Sequence, residues 1–514
     1  MQKGSYTILI SVIVALGGFL LGFDSALISG VVPFIRDYFE LTEIALGWSV
    51  SAVLLGSVVG MIPAGHLSNI IGRKKSLIIT AILFAISAFT SAIAQDFWFF
   101  IIARMIGGFG IGIAILVAPM YIAEIAPPKK RGRLVSINQL NIVIGITISF
   151  FSNRLIYNYV DHDIAWRWML GVETFPALIY FFSLFIVPES PRWLVMQGRN
   201  EEARNCMRRI GGDEFVEQGM AEIQESLKNK QKISLGRMIN ELFSGSVKYF
   251  MIIGIVLGML QQFTGINSIF YYAPEIFEKT GTSRDSALLQ AIIIGLTNLI
   301  FTIFAMKYID KWGRRKLLLI GAVGMALAHG VIGMTFKSAN YEISDNNMVI
   351  FRQNFENKQV VDKLEKMKEK TYDSRKDFIK ALDQRFTVAE LNDYKLDILK
   401  KSVVLPGIIV LIAIIVFVSS FALSIGPVMW VLLSEIFPNH LRGIAISIAG
   451  FFNGMVSFLI TFLFPWLLDS IGEANTFFIF AGFMVGTFFF VKIFIPETKE
   501  KSLEEIERSI VKIS

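Results

Sequence analysis

Asp310-Lys311-Trp312-Gly313-Arg314-Arg315 repeats a motif that the chain has already used at Gly72-Arg73-Lys74. Each occurrence is followed by a glutamate and an Arg-Gly pair: Glu124 then Arg131-Gly132, and Glu435 then Arg442-Gly443. Each half closes on Pro-Glu, at Pro188-Glu189-Ser190-Pro191-Arg192 and at Pro496-Glu497-Thr498-Lys499. A doubled charge pattern set in apolar sequence predicts two homologous helical bundles facing each other. Two bundles that rock about a central site are what a transporter needs.

The sequence around these motifs is of membrane grade. Of 514 residues, 54% are hydrophobic and 18% charged, and the mean hydropathy is +0.58; a soluble domain carries nearer a quarter charged residues. Ten uncharged runs, from Gly4–Phe23 to Gly443–Leu468, are long enough or nearly so to span about 30 Å of hydrocarbon. Two weaker runs, Thr174–Pro188 and Ala474–Val491, bring the expectation to an all-α membrane protein of twelve transmembrane helices in two six-helix bundles. The formal charge of +7 does not indicate nucleic-acid binding, because the cations sit in alternate loops: Arg73, Lys74 and Lys75; Lys129, Lys130, Arg131 and Arg133; Lys311, Arg314, Arg315 and Lys316. This positive-inside pattern predicts cytoplasmic termini. The first apolar segment lacks a small-residue cleavage site and ends on an acid, so it reads as a retained helix. Cys206 is the only cysteine, which excludes an intrachain disulfide and a cysteine metal cluster.

The expected organisation is a first bundle at 1–188, polar cytoplasmic linker helices at 189–247, a second bundle at 248–499 and a cytoplasmic tail at 500–514. Gly313 follows Gly72 by 241 residues, whereas Glu435 follows Glu124, and Arg442 follows Arg131, by 311. The second half has therefore gained 70 residues. Composition places them in the polar stretch at about 337–401, an extracytoplasmic insertion by topology, with helical patterning at Val361–Lys370 and Phe378–Arg385. A cap, a partner-docking element and a neutral insertion all fit.

Single residues at membrane depth need chemical explanations. Asp24 closes the first apolar run and is followed by Ala26-Leu27-Ile28-Ser29-Gly30. A bare carboxylate there costs roughly 2.5–3.5 kcal/mol, so it needs a partner or a proton. Glu173, after Trp166-Arg167-Trp168, is a second membrane acid that either tunes Asp24 or is structural. Gln139, Gln261, Gln262, Asn267, Asn298 and Asn453 put amides at a depth where an unsatisfied amide is costly. Taken singly, each reads equally well as a helix–helix contact. Gly426-Pro427 disrupts helical hydrogen bonding and suggests a hinge. Glu124 and Arg131 flank a corner broken by Pro127-Pro128, where ordinary interfacial anchoring is the plain alternative to a functional role.

The motifs as a set resemble the sugar-porter branch of the major facilitator superfamily. Asp310-Lys311-Trp312-Gly313-Arg314-Arg315, Pro188-Glu189-Ser190-Pro191-Arg192-Trp193-Leu194, Gln261-Gln262-Phe263-Thr264-Gly265-Ile266-Asn267 and Pro496-Glu497-Thr498-Lys499 occur in the family's order, and the resemblance covers the chain outside the insertion. It implies that Arg104 pairs with Asp24 to couple a proton, with Glu173 beside them. It implies that the six amides and Trp430 bind sugar, the indole stacking on the ring, and that Tyr271-Tyr272 form an outer lid. It further implies that Glu124 with Arg73 and Arg131, and Glu435 with Arg314 and Arg442, form clusters that latch the bundles in the outward-facing state. Two departures stand out. Gly454 stands where several relatives have a second tryptophan, and Asn69-Ile70-Ile71-Gly72 lacks the base often found ahead of the glycine, which predicts a weaker first latch.

The expected function is proton-coupled import of a monosaccharide, pentose or hexose, by alternating access. It would run on the proton gradient with no cofactor or metal, and as a monomer in a bacterial inner membrane. The alternatives are a sugar uniporter, a cyclic-polyol (inositol) symporter and a nutrient sensor. Facilitative relatives carry a neutral residue where this chain has Asp24, which favours symport, and the 18 residues after Pro496 are few for a sensor's tail. No nucleophile–base set, phosphate loop or metal-ligand cluster supports an enzyme. Gly145-Ile146-Thr147-Ile148-Ser149 lacks the Gly-Pro element of drug antiporters.

Overall fold

A computed structural model describes residues 3–127, 130–228, 235–355, 357–368, 370–438 and 440–499; the tail expected at 500–514 lies outside them. The first half comprises α1 (Lys3–Tyr38), α2 (Glu43–Ile71), α3 (Arg73–Ala92), α4 (Phe97–Ile125), α5 (Arg131–Tyr159), α6 (His162–Gly171) and α7 (Thr174–Leu184). Polar caps set its hairpins: the Thr42 hydroxyl accepts from Ala45 N–H at the start of α2, and Asp96 from Phe99 N–H at the start of α4. Four short helices follow: α8 (Pro191–Met196), α9 (Asn200–Gly211), α10 (Asp213–Lys228) and α11 (Leu235–Leu242). Three of them share a small core of Trp193, Leu194, Ala203, Met207, Val216 and Met220.

The second half runs through α12 (Gly245–Phe263), α13 (Ile266–Glu278), α14 (Arg284–Trp312) and α15 (Arg314–Lys337) before the insertion. It resumes with α20 (Gly407–Leu423), α21 (Ile425–Ile436), α22 (Arg442–Ser470) and α23 (Glu473–Phe494). Between them lie β1 (Asn340–Glu342), α16 (Asp345–Asn354), α17 (Lys358–Glu365), β2 (Thr371–Tyr372), α18 (Arg375–Asp383), α19 (Val388–Ser402) and β3 (Val403–Val404). The insertion is thus a folded cap. Its antiparallel sheet has the order β2-β1-β3, with Tyr341 opposite Tyr372 and Asn340 opposite Val404. Ile343, Phe351, Leu364, Phe378 and Ile398 fill its core. The helix expected over 361–370 begins earlier, because the Asn357 side chain caps Gln359 and Val360 N–H, and it ends at Glu365 ahead of β2.

Among the described residues, eleven helical segments are long and apolar enough to cross a membrane. The sixth crossing supplies a twelfth as two short helices, α6 and α7, broken at Val172-Glu173. The seventh (α12–α13) breaks at Gly265, and the tenth (α20–α21) at Ser424, where Pro427 lacks an N–H for the preceding turn. Irregular backbone at membrane depth is tolerated where it is buried in protein or lines a cavity. Each of the three breaks lies beside a candidate site residue: Glu173, the Gln261–Asn267 amides, and Trp430.

Candidate functional site

The charged centre assembles from three elements of the first half. Asp24 on α1, Arg104 on α4 and Glu173 at the α6–α7 break are each at most 2% exposed. Arg104 forks onto the Asp24 carboxylate, with Nη1 on Oδ1 and Nη2 3.1 Å from Oδ2. Glu173 is within hydrogen-bonding reach of Asp24, and both Arg104 Nε and Glu173 Oε1 lack a partner. The second half comes nearest this centre at Tyr271 of α13, which is buried within electrostatic reach of Asp24 and Arg104. Tyr271 therefore lies within electrostatic reach of the charged centre, a placement that the outer-lid expectation did not contain.

The amides divide into a network and two outliers. Asn453 Nδ2 donates to Gly258 O and Gln261 Oε1, both at 2.8 Å. Gln262 Nε2 lies 3.2 Å from Asn453 Oδ1, and Gln261 Nε2 donates at 3.0 Å to the Ile425 and Gly426 carbonyls at the tenth-crossing break. Asn267 Nδ2 donates to Gln262 Oε1 at 3.0 Å and to the Ser457 hydroxyl at 2.6 Å. Ser457 went unread in the sequence, although it follows Asn453 by one helical turn on the same face of α22. The Trp430 indole is 41% exposed, with its edge against Gly450 on that helix. Gln139 on α5 is exposed and Asn298 on α14 is buried; neither joins the network.

The repeated motifs build two matching clusters at one end of the molecule. Arg73 Nε and Nη2 each lie 3.0 Å from the Glu124 carboxylate, and Ser190 Oγ donates to the same group. In the second half, Arg314 Nη2 lies 2.7 Å from Glu435 Oε1, and Thr498 Oγ1 donates to Glu435 Oε2 at 2.6 Å. A second acid completes each cluster. Glu189 accepts the backbone N–H groups of Arg73 and Lys74, and Glu497 those of Arg314 and Arg315, each sitting on a helix N-terminus where negative charge is favoured. Burial raises the Glu189 carboxyl above the ordinary carboxylate range, with those N–H groups and Arg73 pulling the other way. A Cβ at Gly72, whose φ is +98°, would lie 2.2 Å from Glu189 Oε2. The motif glycine is required there both by conformation and by space.

The latch is expected of the outward-facing state; in the present conformation its residues are arranged differently. The pairs formed here join helices of one half and do not bridge the two halves. Arg131 is exposed and makes no pair with Glu124, and Arg442 Nη2 donates to the Phe437 carbonyl rather than to Glu435. The α4–α5 and α21–α22 corners turn these bases away from the carboxylates. The first cluster, expected to be the weaker for want of a base ahead of Gly72, is bidentate, with both side chains under 10% exposed.

At the opposite end, which bears the cap, the halves close on each other. Arg36 of α1 pairs with Glu43 and, at 2.8 Å, with Glu275 of α13. Arg154 of α5 forks onto Asp285 of α14 at 3.0 and 3.1 Å. Trp48 of α2 packs on Phe458 and Phe462 of α22. The cap is anchored to the second half by Lys400 to Glu278 at 3.1 Å and Arg375 to Asp469 at 3.6 Å.

Twelve crossings in two pseudo-symmetric bundles, with a buried ion pair in one and an amide network in the other, define a multi-pass membrane transporter of the major facilitator type. The chain belongs to the sugar (and other) transporter family, whose model matches residues 10–352 and 395–510 and omits most of the cap. It is 36% identical to the arabinose-proton symporter of Bacillus subtilis (strain 168) over 99% of this chain and 96% of that protein. It is 35% identical to the D-xylose-proton symporter of Escherichia coli (strain K12), over 98% and 96%. A solved structure of the xylose transporter XylE from E. coli, in a partially occluded inward-open conformation, superimposes with a TM-score of 0.75 at 32% identity, covering 97% of this chain and all of that one.

Proposed function

We propose that the protein imports a monosaccharide together with a proton by alternating access, with the motif end in the cytoplasm and the cap outside. The observation that carries this reading is the fully buried Asp24–Arg104 fork, with Tyr271 of the other half buried within its electrostatic reach. The relatives' activity as proton symporters supports the coupling, and the loop cations support the orientation. The closed cap end makes this conformation the inward-facing one. Protonation of Asp24 removes the charge that holds Arg104, loosens α1 from α4 and, through Tyr271, frees α13. Glu173 stands ready to share the guanidinium. No cofactor is needed, because the proton gradient supplies the work.

The sugar site in this reading is Gln261, Gln262, Asn267, Asn453 and Ser457, with Trp430 offering a flat apolar face to the ring C–H groups. The amides hydrogen-bond one another here, so sugar hydroxyls would exchange for existing bonds and leave no donor bare. Gln139 and Asn298 serve as the contribution of α5 and α14 once the halves close around the sugar. Asp24→Asn tests the mechanism in proteoliposomes: accumulation against a gradient should vanish while sugar exchange persists. Retained accumulation would refute the role of Asp24, and insensitivity of the unaltered protein to a protonophore would make it a uniporter. Competition of xylose, arabinose, glucose and galactose against labelled sugar would identify the substrate.

A further inference from the structure

His329 on α15 has no part in the scheme above, yet it lies at the break that the scheme turns on. The first hydrogen bond of α13 runs from Ile269 N–H to Gly265 O, and Gly265 itself has φ +77°. The Thr264 carbonyl is thereby left outside both helices at membrane depth, where an orphaned acceptor is costly. His329 Nε2 lies 2.9 Å from it. A carbonyl can only accept, so Nε2 carries the hydrogen. The imidazole is 0% exposed and sits among Phe417, Phe477 and Phe480, with ring centroids 4.4, 5.9 and 5.5 Å away, while Nδ1 has no partner. The Phe480 ring also packs on Gly265, 3.2 Å from where a Cβ would stand. One side chain thus ties the α12–α13 break to α15, α20 and α23. On one side of the break are Gln261 and Gln262, on the other Asn267, Tyr271 and the gate acid Glu275.

We infer that His329 is a positioning residue for transport. Its Nε2–H holds the Thr264 carbonyl and so sets how readily α13 swings between the inward- and outward-facing states. The inference rests on the alternating-access reading but needs neither proton coupling nor the identity of the sugar, so the test below can fail without touching either.

The test uses the full chain with Cys206→Ser and a reporter at Ser51→Cys. Ser51 is buried on α2 one turn beyond Gly47, which lies against the Phe462 carbonyl of the other half. A water-soluble maleimide reaches this site only when the cap end opens. His329→Met keeps the volume and removes the donor, whereas His329→Gln keeps an N–H. The Met variant should change the labelling rate roughly fivefold, the shift expected from losing one hydrogen bond, with a parallel change in the uptake rate. The Gln variant should stay within about twofold of His329. An unchanged Met variant, or Met and Gln variants that change equally, would overturn the inference. Should the Met variant fail to fold, nitrogen NMR of histidine-labelled protein decides. Of the four histidines in the chain, one resonance, absent from the Gln variant, should report the Nε2–H tautomer and shift when sugar is added. Its absence, or its indifference to sugar, would equally refute the role.

Discussion

Arg104 is the residue whose partners decide what a substitution at the charged centre does. Removing one member of a buried pair leaves the other charge uncompensated, at a cost of about 3–5 kcal/mol. Asp24→Asn should escape most of that cost, because Glu173 is at hand with an unpartnered Oε1 and takes over the guanidinium. Asp24→Asn with Glu173→Gln leaves Arg104 alone and should lose the full amount. Thermal unfolding in detergent measures both: a melting temperature near that of the unaltered protein for the single variant, and a pronounced fall for the double. A single variant as unstable as the double would show that Glu173 does not share the site. At the same scale, Cys206 is chemically quiet. Burial pushes its thiol up to about 12, and its Sγ lies 3.6 Å from the Glu189 carbonyl, so little thiolate is present at neutral pH.

Helix ends and helix breaks show what could be read from the sequence and what could not. The apolar runs located the crossings, and the repeat offset located the cap, because length and composition act locally. The carboxylate–guanidinium pairs Arg73–Glu124 and Arg314–Glu435 were legible because a repeated motif marks both members. Glu189 and Glu497 were quoted in the same motifs without a role. Their partners are backbone N–H groups of helices that begin 116 and 183 residues away, and no periodicity encodes such a contact. The three-stranded sheet of the cap was missed because two of its strands have only two residues each. Glu497→Gln keeps the shape but removes a charge-assisted acceptor from the N-terminus of α15, and should cost about 1–2 kcal/mol. Glu189→Gln should cost a similar amount at α3. A lower melting temperature in each, with the sugar affinity unchanged, is the expected result. Loss of affinity instead would mean that the cluster communicates with the amide network.

For the whole molecule, the question is what holds the cap end shut. Among the described residues, two ionic contacts join the halves there, and their burial differs. Arg36 and Glu275 have side chains 15% and 10% exposed, while Arg154 and Asp285 are at 32% and 44%. Exposed pairs contribute about 0–1 kcal/mol and are screened by salt, whereas a largely desolvated pair is screened much less and attracts more strongly. The Arg36 contact also sits at the end of α13, the helix that carries Tyr271 into the neighbourhood of the charged centre. Closure should therefore depend on Glu275 far more than on Asp285. In the Cys206→Ser, Ser51→Cys background, Glu275→Gln should raise maleimide labelling several-fold, reflecting an equilibrium moved toward the outward-open state. Asp285→Asn should leave it within about twofold, and less still in high salt. Equal effects would mean that the apolar contact of Trp48 with Phe458 and Phe462 carries closure and that the ionic contacts only decorate it. Because Arg36 also holds Glu43 within its own half, it stays paired when Glu275 is neutralised. The variant thus reports the loss of a contact between the halves, not the stranding of a cation.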